Sequence, residues 1–138
     1  MKKISIILTA IVYLLCGCAT TDVAMIPPEI TAKANPRPIA AVHAENYGYY
    51  LFSIIPLFAG NPDKPNANSM TFFSDTVTIE NNKKMIAEEA RALNCDTITN
   101  VRNSTYWTGS FTLWIIWRQV LSSNATLVKT AKPAEETK

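Results

Sequence analysis

The sequence predicts an α+β domain: a small antiparallel sheet of about four strands with one amphipathic helix packed on one face, in two layers. Three observations carry this expectation. Residues 78–94 repeat their apolar positions at helical spacing. The segments on either side, 39–60 and 97–128, are rich in β-branched and aromatic side chains. The order is then strands, one helix and strands again, with no internal repeat, which suits a sheet covered on one side.

Residues 39–43 read as a short strand. Residues 47–55 read as a second, aromatic, β-branched and uncharged, and broken by Pro56. With both faces apolar, that strand calls for cover on both sides. The run Asn-Pro-Asp-Lys-Pro-Asn-Ala-Asn-Ser at 61–69 has the composition of a surface loop.

The helix is the plainest element. Thr78 is a suitable N-cap, and Glu80 complements the dipole in the first turn. Ile79, Ile86, Ala90 and Leu93 form one stripe with Met85 on its flank, while Lys84, Glu88 and Arg91 point to solvent. Asn94 follows where a left-handed residue commonly ends a helix.

The last third reads as a hairpin. Residues 97–107 form its first arm and Gly109-Ser110 its turn. Phe111, Leu113, Ile115 and Trp117 then alternate with Thr112, Trp114, Ile116 and Arg118. Ser122-Ser123-Asn124 reads as a bend or bulge, after which 125–128 resume the strand.

The N-terminus has a different grammar. Lys2 and Lys3 precede an apolar run, residues 4–15, in which Ser5 and Thr9 are the polar side chains. Leu15-Cys16-Gly17-Cys18 follows. A transmembrane helix needs about 20 apolar residues, so this run is too short for one. The layout is that of an export signal.

The four residues 15–18 resemble the lipobox of bacterial lipoprotein signal peptides. That resemblance implies cleavage between Gly17 and Cys18 and a diacylglyceryl group on the Cys18 thiol, with acylation of the new amine in many bacteria. It also implies a lipid anchor in the cell envelope as the protein's membrane partner. Ala19 stands where Asp would signal retention in the inner membrane, which favours the outer membrane, facing the periplasm. Four regions follow: signal peptide 1–17, lipidated cysteine and proline-containing tether 18–38, one α+β domain 39–129, and a disordered tail 130–138. A flexible tether of that length spans on the order of 25 Å. The domain itself, roughly 90 residues, is large enough for one core and too small for two.

Processing alters the charge balance. The full chain carries 13 basic and 11 acidic side chains, and losing Lys2 and Lys3 leaves 11 of each. The basic character belongs to the signal, and nucleic-acid binding, which needs a basic face, is disfavoured. Of the three cysteines, Cys16 leaves with the signal and Cys18 becomes a thioether. Cys95 is then left without an internal disulfide partner.

No catalytic, cofactor or metal motif emerges. His43 is the single histidine and has no organised set of ligands around it. Glu88 and Glu89 are neighbours on a helix and diverge. Asp63, Asn66 and Asn68 do not match a calcium loop. The surplus is aromatic: Trp107, Trp114 and Trp117 lie in or beside strands, and one helix covers one face of a sheet. These indoles are the candidate interaction surface, for an envelope protein or for a second copy.

The order Leu51-Phe52-x-x-Ile55-Pro56-Leu57-x-x-Gly60-Asn61-Pro62, then Thr78-Ile79-Glu80-Asn81-Asn82, then a terminal hairpin, is similar in layout to the TRL-like group of small bacterial lipoprotein domains. That group implies no established activity and lends no functional residues. The expectation is therefore a non-enzymatic, lipid-anchored envelope module. Two alternatives stand beside it. One is a ligand-binding or enzymatic domain with a pocket near His43, using Asp75 or Asp96. The other is an envelope stress sensor acting through Cys95.

Overall fold

The computed structural model describes residues 18–31, 36–109 and 114–130. Along them run β1 (Cys18–Met25), α1 (Pro28–Thr31), β2 (Arg37–Leu51), β3 (Ile55–Gly60), β4 (Met70–Phe72), α2 (Ile79–Ala92), β5 (Thr97–Gly109) and β6 (Ile116–Lys129). The expected signal peptide 1–17, the expected strand positions Phe111, Thr112 and Leu113, and the expected tail beyond Thr130 lie outside the described residues.

This is a mainly-β fold, with 56% strand and 17% helix among the described residues, not an α+β domain with about four strands. A six-stranded antiparallel sheet runs in the order β4-β3-β2-β6-β5, with β1 also paired to β2. One additional strand lies in the expected tether, and another in a stretch to which composition assigns no element. Residues 18–25 were expected to belong to a tether, yet Pro27, Pro28, Pro36 and Pro38 fall after this stretch and leave it free to pair. β1 is bonded to β2 from Cys18↔Tyr47 to Met25↔Ala40. β4 is a short strand on β3 that follows the 61–69 loop.

β2 absorbs the segment 39–43 and the first part, up to Leu51, of the strand expected over 47–55. The chain then reverses at 52–54 and returns as β3, with Pro56 inside the strand beside an irregularity at Tyr49/Tyr50. β6 likewise runs through Ser122-Ser123-Asn124 without a break. Ser123 is buried because its hydroxyl accepts from Asn82 Nδ2 at 3.0 Å. The bulge lies instead in β5, between Thr99 and Arg102.

β1 and β3 share one side of β2, end to end. A Cβ built on Gly60 would lie 2.3 Å from the Cys18 carbonyl carbon and 2.4 Å from the Ala19 nitrogen. Glycine is what lets the two strand ends meet. Asn66 closes the outer side of β1. Its backbone N–H donates to Ala19 O (2.9 Å), and its side-chain amide exchanges two bonds with the Thr21 backbone, at 3.0 and 3.1 Å.

α2 packs across β2 and β6. Thr78 caps it as the sequence indicates, accepting from Asn81 N at 3.2 Å. The buried side is Asn82, Met85, Ile86 and Ala90, so Met85 is central and Ile79 is exposed. The core joins these to Ala19, Val42, Ala44, Ala125 and Leu127. Small residues on β1, β2 and β6 bring the helix close to the sheet. Asn82 then reaches across to Ala44 O (3.2 Å) and Leu121 O (3.0 Å), tying two neighbouring strands to one helix position. Asn94 has φ 52° and ends the helix as expected.

Asn66→Ala removes the side-chain pairing with Thr21 and leaves alanine at φ 64°. Denaturant unfolding should show a loss of about 2 to 3 kcal/mol, with hydrogen exchange speeding first at 18–21.

Candidate functional site

α2 starts level with the middle of β2, where Asn46 Nδ2 donates to Thr76 O at 2.7 Å. The sheet continues past that level, and its far end gathers a group of exposed apolar side chains; Met25, Ile30, Ile98 and Val101 are exposed elsewhere on the molecule. Phe52 and Ile54 come from the β2–β3 turn and Ile55 opens β3. Phe72 ends β4 and Phe73 follows it, and Trp114 and Ile115 lead into β6. Ile54, Phe73 and Trp114 are 78%, 77% and 70% exposed. Backbone bonds bind these loops into one surface: Phe52 N to Ile115 O at 2.7 Å, and Phe73 N to Leu57 O at 3.1 Å.

The backbone at this end is strained. Phe52, Ser53, Phe73 and Trp114 all have φ between 52° and 64°. Elsewhere among the described residues the positive-φ positions are Asn66, Asn68, Asn94 and Asn100, the residue type that tolerates this conformation. An aromatic residue there costs about 1 to 2 kcal/mol. The turn 51–54 closes with Ile54 N bonded to Leu51 O at 3.1 Å. Two positive φ values in its centre are the geometry for which Asn-Gly is favoured. This chain has Phe-Ser.

Aromatic rings extend from that end down both faces. On the helix side, Trp107 packs edge-on to Tyr50 at 5.3 Å, and Trp114 tilts against Trp117 at 5.2 Å. Trp117 Nε1 donates to Trp114 O at 2.7 Å. Trp107 is 43% exposed and Trp117 half-buried, so the three candidate indoles lie at the same end of the sheet, as two contacting pairs with different partners. Asp75 accepts from Tyr50 OH at 2.7 Å. Burial first, and that carboxylate second, push the phenol's pKa far up.

On the opposite face, Tyr47, Tyr49 and Phe58 form a run, with rings 6.3 and 5.1 Å apart. The Arg118 guanidinium lies 4.3 Å over Tyr47. Cys18 is half-buried and belongs to this face. Its neighbours Ala19 and Thr21 point to the helix, where Thr21 Oγ1 donates to Glu89 at 2.9 Å, so alternation sends Cys18 the other way, beside Tyr47.

The remaining candidates do not converge with one another. His43 lines a shallow cavity of about 380 Å³ with Asp22, Asn100 and Thr126. Its Nδ1 is 2.8 Å from Asn124 Oδ1, and Nε2 is 4.0 Å from Glu45. Neither Asp75 nor Asp96 lines that cavity; Asp75 holds Tyr50, and Asp96 accepts from the Thr130 N–H and hydroxyl, which lowers its pKa. Cys95 follows α2 against the core, its thiol pushed up by burial first and by Asp96 second. A thiol held protonated is a poor nucleophile, which works against the sensor alternative.

The sequence signal for the apolar end is an absence of charge. Three separate stretches, 46–62, 65–74 and 103–117, contain no ionisable acid or base of the Asp, Glu, Lys or Arg type, and they meet in space here. Aromatic density takes in the indoles together with Phe52, Phe72 and Phe73, but it passes over Ile54 and Ile55. Among the described residues no helix is long and apolar enough to cross a membrane. Comparison with protein-family models, curated proteins and solved structures finds no match to this chain.

Replacing Phe52-Ser53 by Asn-Gly relieves the strained turn. The double variant should unfold about 1 to 2 kcal/mol later than the parent in urea, although it removes an aromatic side chain. An unchanged midpoint would count against strain at this turn.

Proposed function

We propose that this chain is a non-enzymatic, lipid-anchored protein of the bacterial cell envelope, held by acyl chains on Cys18 at the periplasmic face of the outer membrane. It works by contact, and the apolar end of its sheet is the contacting surface. The observation that carries this reading is the gathering of Phe52, Ile54, Phe72, Phe73 and Trp114, all exposed, at one end of the sheet, with Phe52, Phe73 and Trp114 on left-handed backbone that disfavours such side chains. A folded domain rarely keeps a large apolar patch in water without a use for it. The charged n-region, apolar run and small residues before Cys18 support the anchor. Two or three acyl chains, at about 0.8 kcal/mol per buried methylene, make release slow.

Mass measurement of the N-terminal peptide from membranes tests the anchor. The expected species begins at Cys18 and carries diacylglyceryl mass; Cys18→Ala should lose that mass and leave the outer-membrane fraction. A photo-crosslinking residue in place of Ile54 should give adducts in cells, and one in place of Lys83 on the helix should give few. Adducts from Lys83 alone would overturn the assignment of the contacting surface.

A small-ligand reading has the cavity beside His43 as its support. His43→Ala and Asn124→Ala with no loss of any cellular phenotype of the gene would sink it.

A further inference from the structure

The anchor reading gains a geometric consequence from β1. Cys18 is the first residue of a strand bonded throughout to β2, so it has no tether of its own. Its sulfur would be bonded to glycerol at the level of the lipid headgroups, and β2 passes beside it. From Tyr47, the partner of Cys18, four residues lead to Leu51 and the apolar end, about 14 Å at strand spacing. Ten residues lead the other way to Arg37, about 34 Å.

The interfacial zone of one leaflet is only about 6 Å deep. With the apolar end turned away from the membrane, the longer arm would be driven into hydrocarbon, carrying Asp22, Glu45 and Arg37 with it. With the strands flat and the helix side down, the Cys18 sulfur would point away from its own lipid. The permitted attitude is the apolar end down, tilted towards the face that holds Cys18, Tyr47, Tyr49, Phe58 and Phe72.

The side chains at that end match such a location. Trp and Tyr favour the membrane–water boundary, and Phe and Ile partition below it. The stretches 46–62, 65–74 and 103–117 bring no formal charge with them, and the guanidinium of Arg118, the next residue, lies over the Tyr47 ring. The left-handed backbone at Phe52, Phe73 and Trp114 holds aromatic rings at loop positions where Asn would be easier.

We infer that the apolar end of the sheet, with Phe52, Ile54, Phe73 and Trp114 at its tip, inserts into the leaflet that carries the protein's own lipid anchor, so that the domain is seated in the membrane surface. This rests on the lipidation of Cys18 proposed above.

The test uses the mature protein reconstituted in phosphatidylethanolamine–phosphatidylglycerol vesicles whose acyl chains carry bromine, a quencher of indole emission. With three tryptophans in the chain, insertion of Trp114 should remove about a third of the emission. Trp114→Phe should abolish that loss and Trp107→Phe should retain it. Lys84→Trp in the Trp114→Phe background, on the helix, should stay unquenched. The N-terminal peptide is weighed in the same samples. Acylated, vesicle-bound protein with unquenched Trp114 overturns the insertion and leaves the anchor standing. The same result with a crosslinked dimer or complex gives the surface to a protein and also overturns it. A peptide without acyl mass overturns the anchor reading and this inference with it.

Discussion

The pairing of β2 with β6 is the constraint on which the rest of the molecule depends. The ladder runs from Arg37↔Lys129 to Leu51↔Ile116, nearly the whole length of both strands. Its other edges receive everything else: β1 and β3 on the free side of β2, β5 on the free side of β6. The strands are longer than α2, so the helix covers only their lower rungs, where Ala40, Val42, Ala44, Ala125 and Leu127 are small or aliphatic. The upper rungs change to Tyr50, Trp107 and Trp117, and rings take over the covering that the helix does not reach.

Two kinds of polar group hold this arrangement in register. Asn82 is fully buried and its Nδ2 donates to one carbonyl on β2 and another on β6, so the helix cannot slide along the ladder without leaving that buried donor unpaired. Thr76 does similar work at the junction of the edge strands, where its hydroxyl donates to Gly60 O at 2.6 Å and its carbonyl accepts from Asn46 and Asn81. In a small domain held without an internal disulfide among the described residues, these bonds specify alignment while the aliphatic contacts supply cohesion.

What the sequence revealed, and what it hid, follows from the range of the forces involved. The helix was legible because capping by Thr78 and the 3.6-residue period are local. The interior position of Asn82 was not, because its partners lie about 40 positions away. β1 was hidden by prolines that border it but do not occupy it, and by an average composition that blurs eight residues of strand into the stretch behind them. Phe52-Ser53 looked like the middle of a strand because nothing in it resembles a turn; the reversal is imposed by the pairing of β2 with β3. The three indoles share one end of the sheet because β5 and β6 are paired there. The aliphatic and phenylalanine half of the same surface comes from two other loops, and only tertiary pairing unites them.

Asn66 gains a further meaning under the membrane anchoring proposed above. Surface anchoring turns a dilute solute into a two-dimensional crowd whose members share one orientation, and strand edges in such a crowd are presented to one another side by side. At Thr21 the outward N–H and C=O of β1 are already taken by an amide that imitates the next strand in donor, acceptor and spacing. A side chain thus stands in for one rung of a missing neighbour. Lateral sheet growth through this part of the edge is refused by occupancy, where many proteins refuse it with charge or proline.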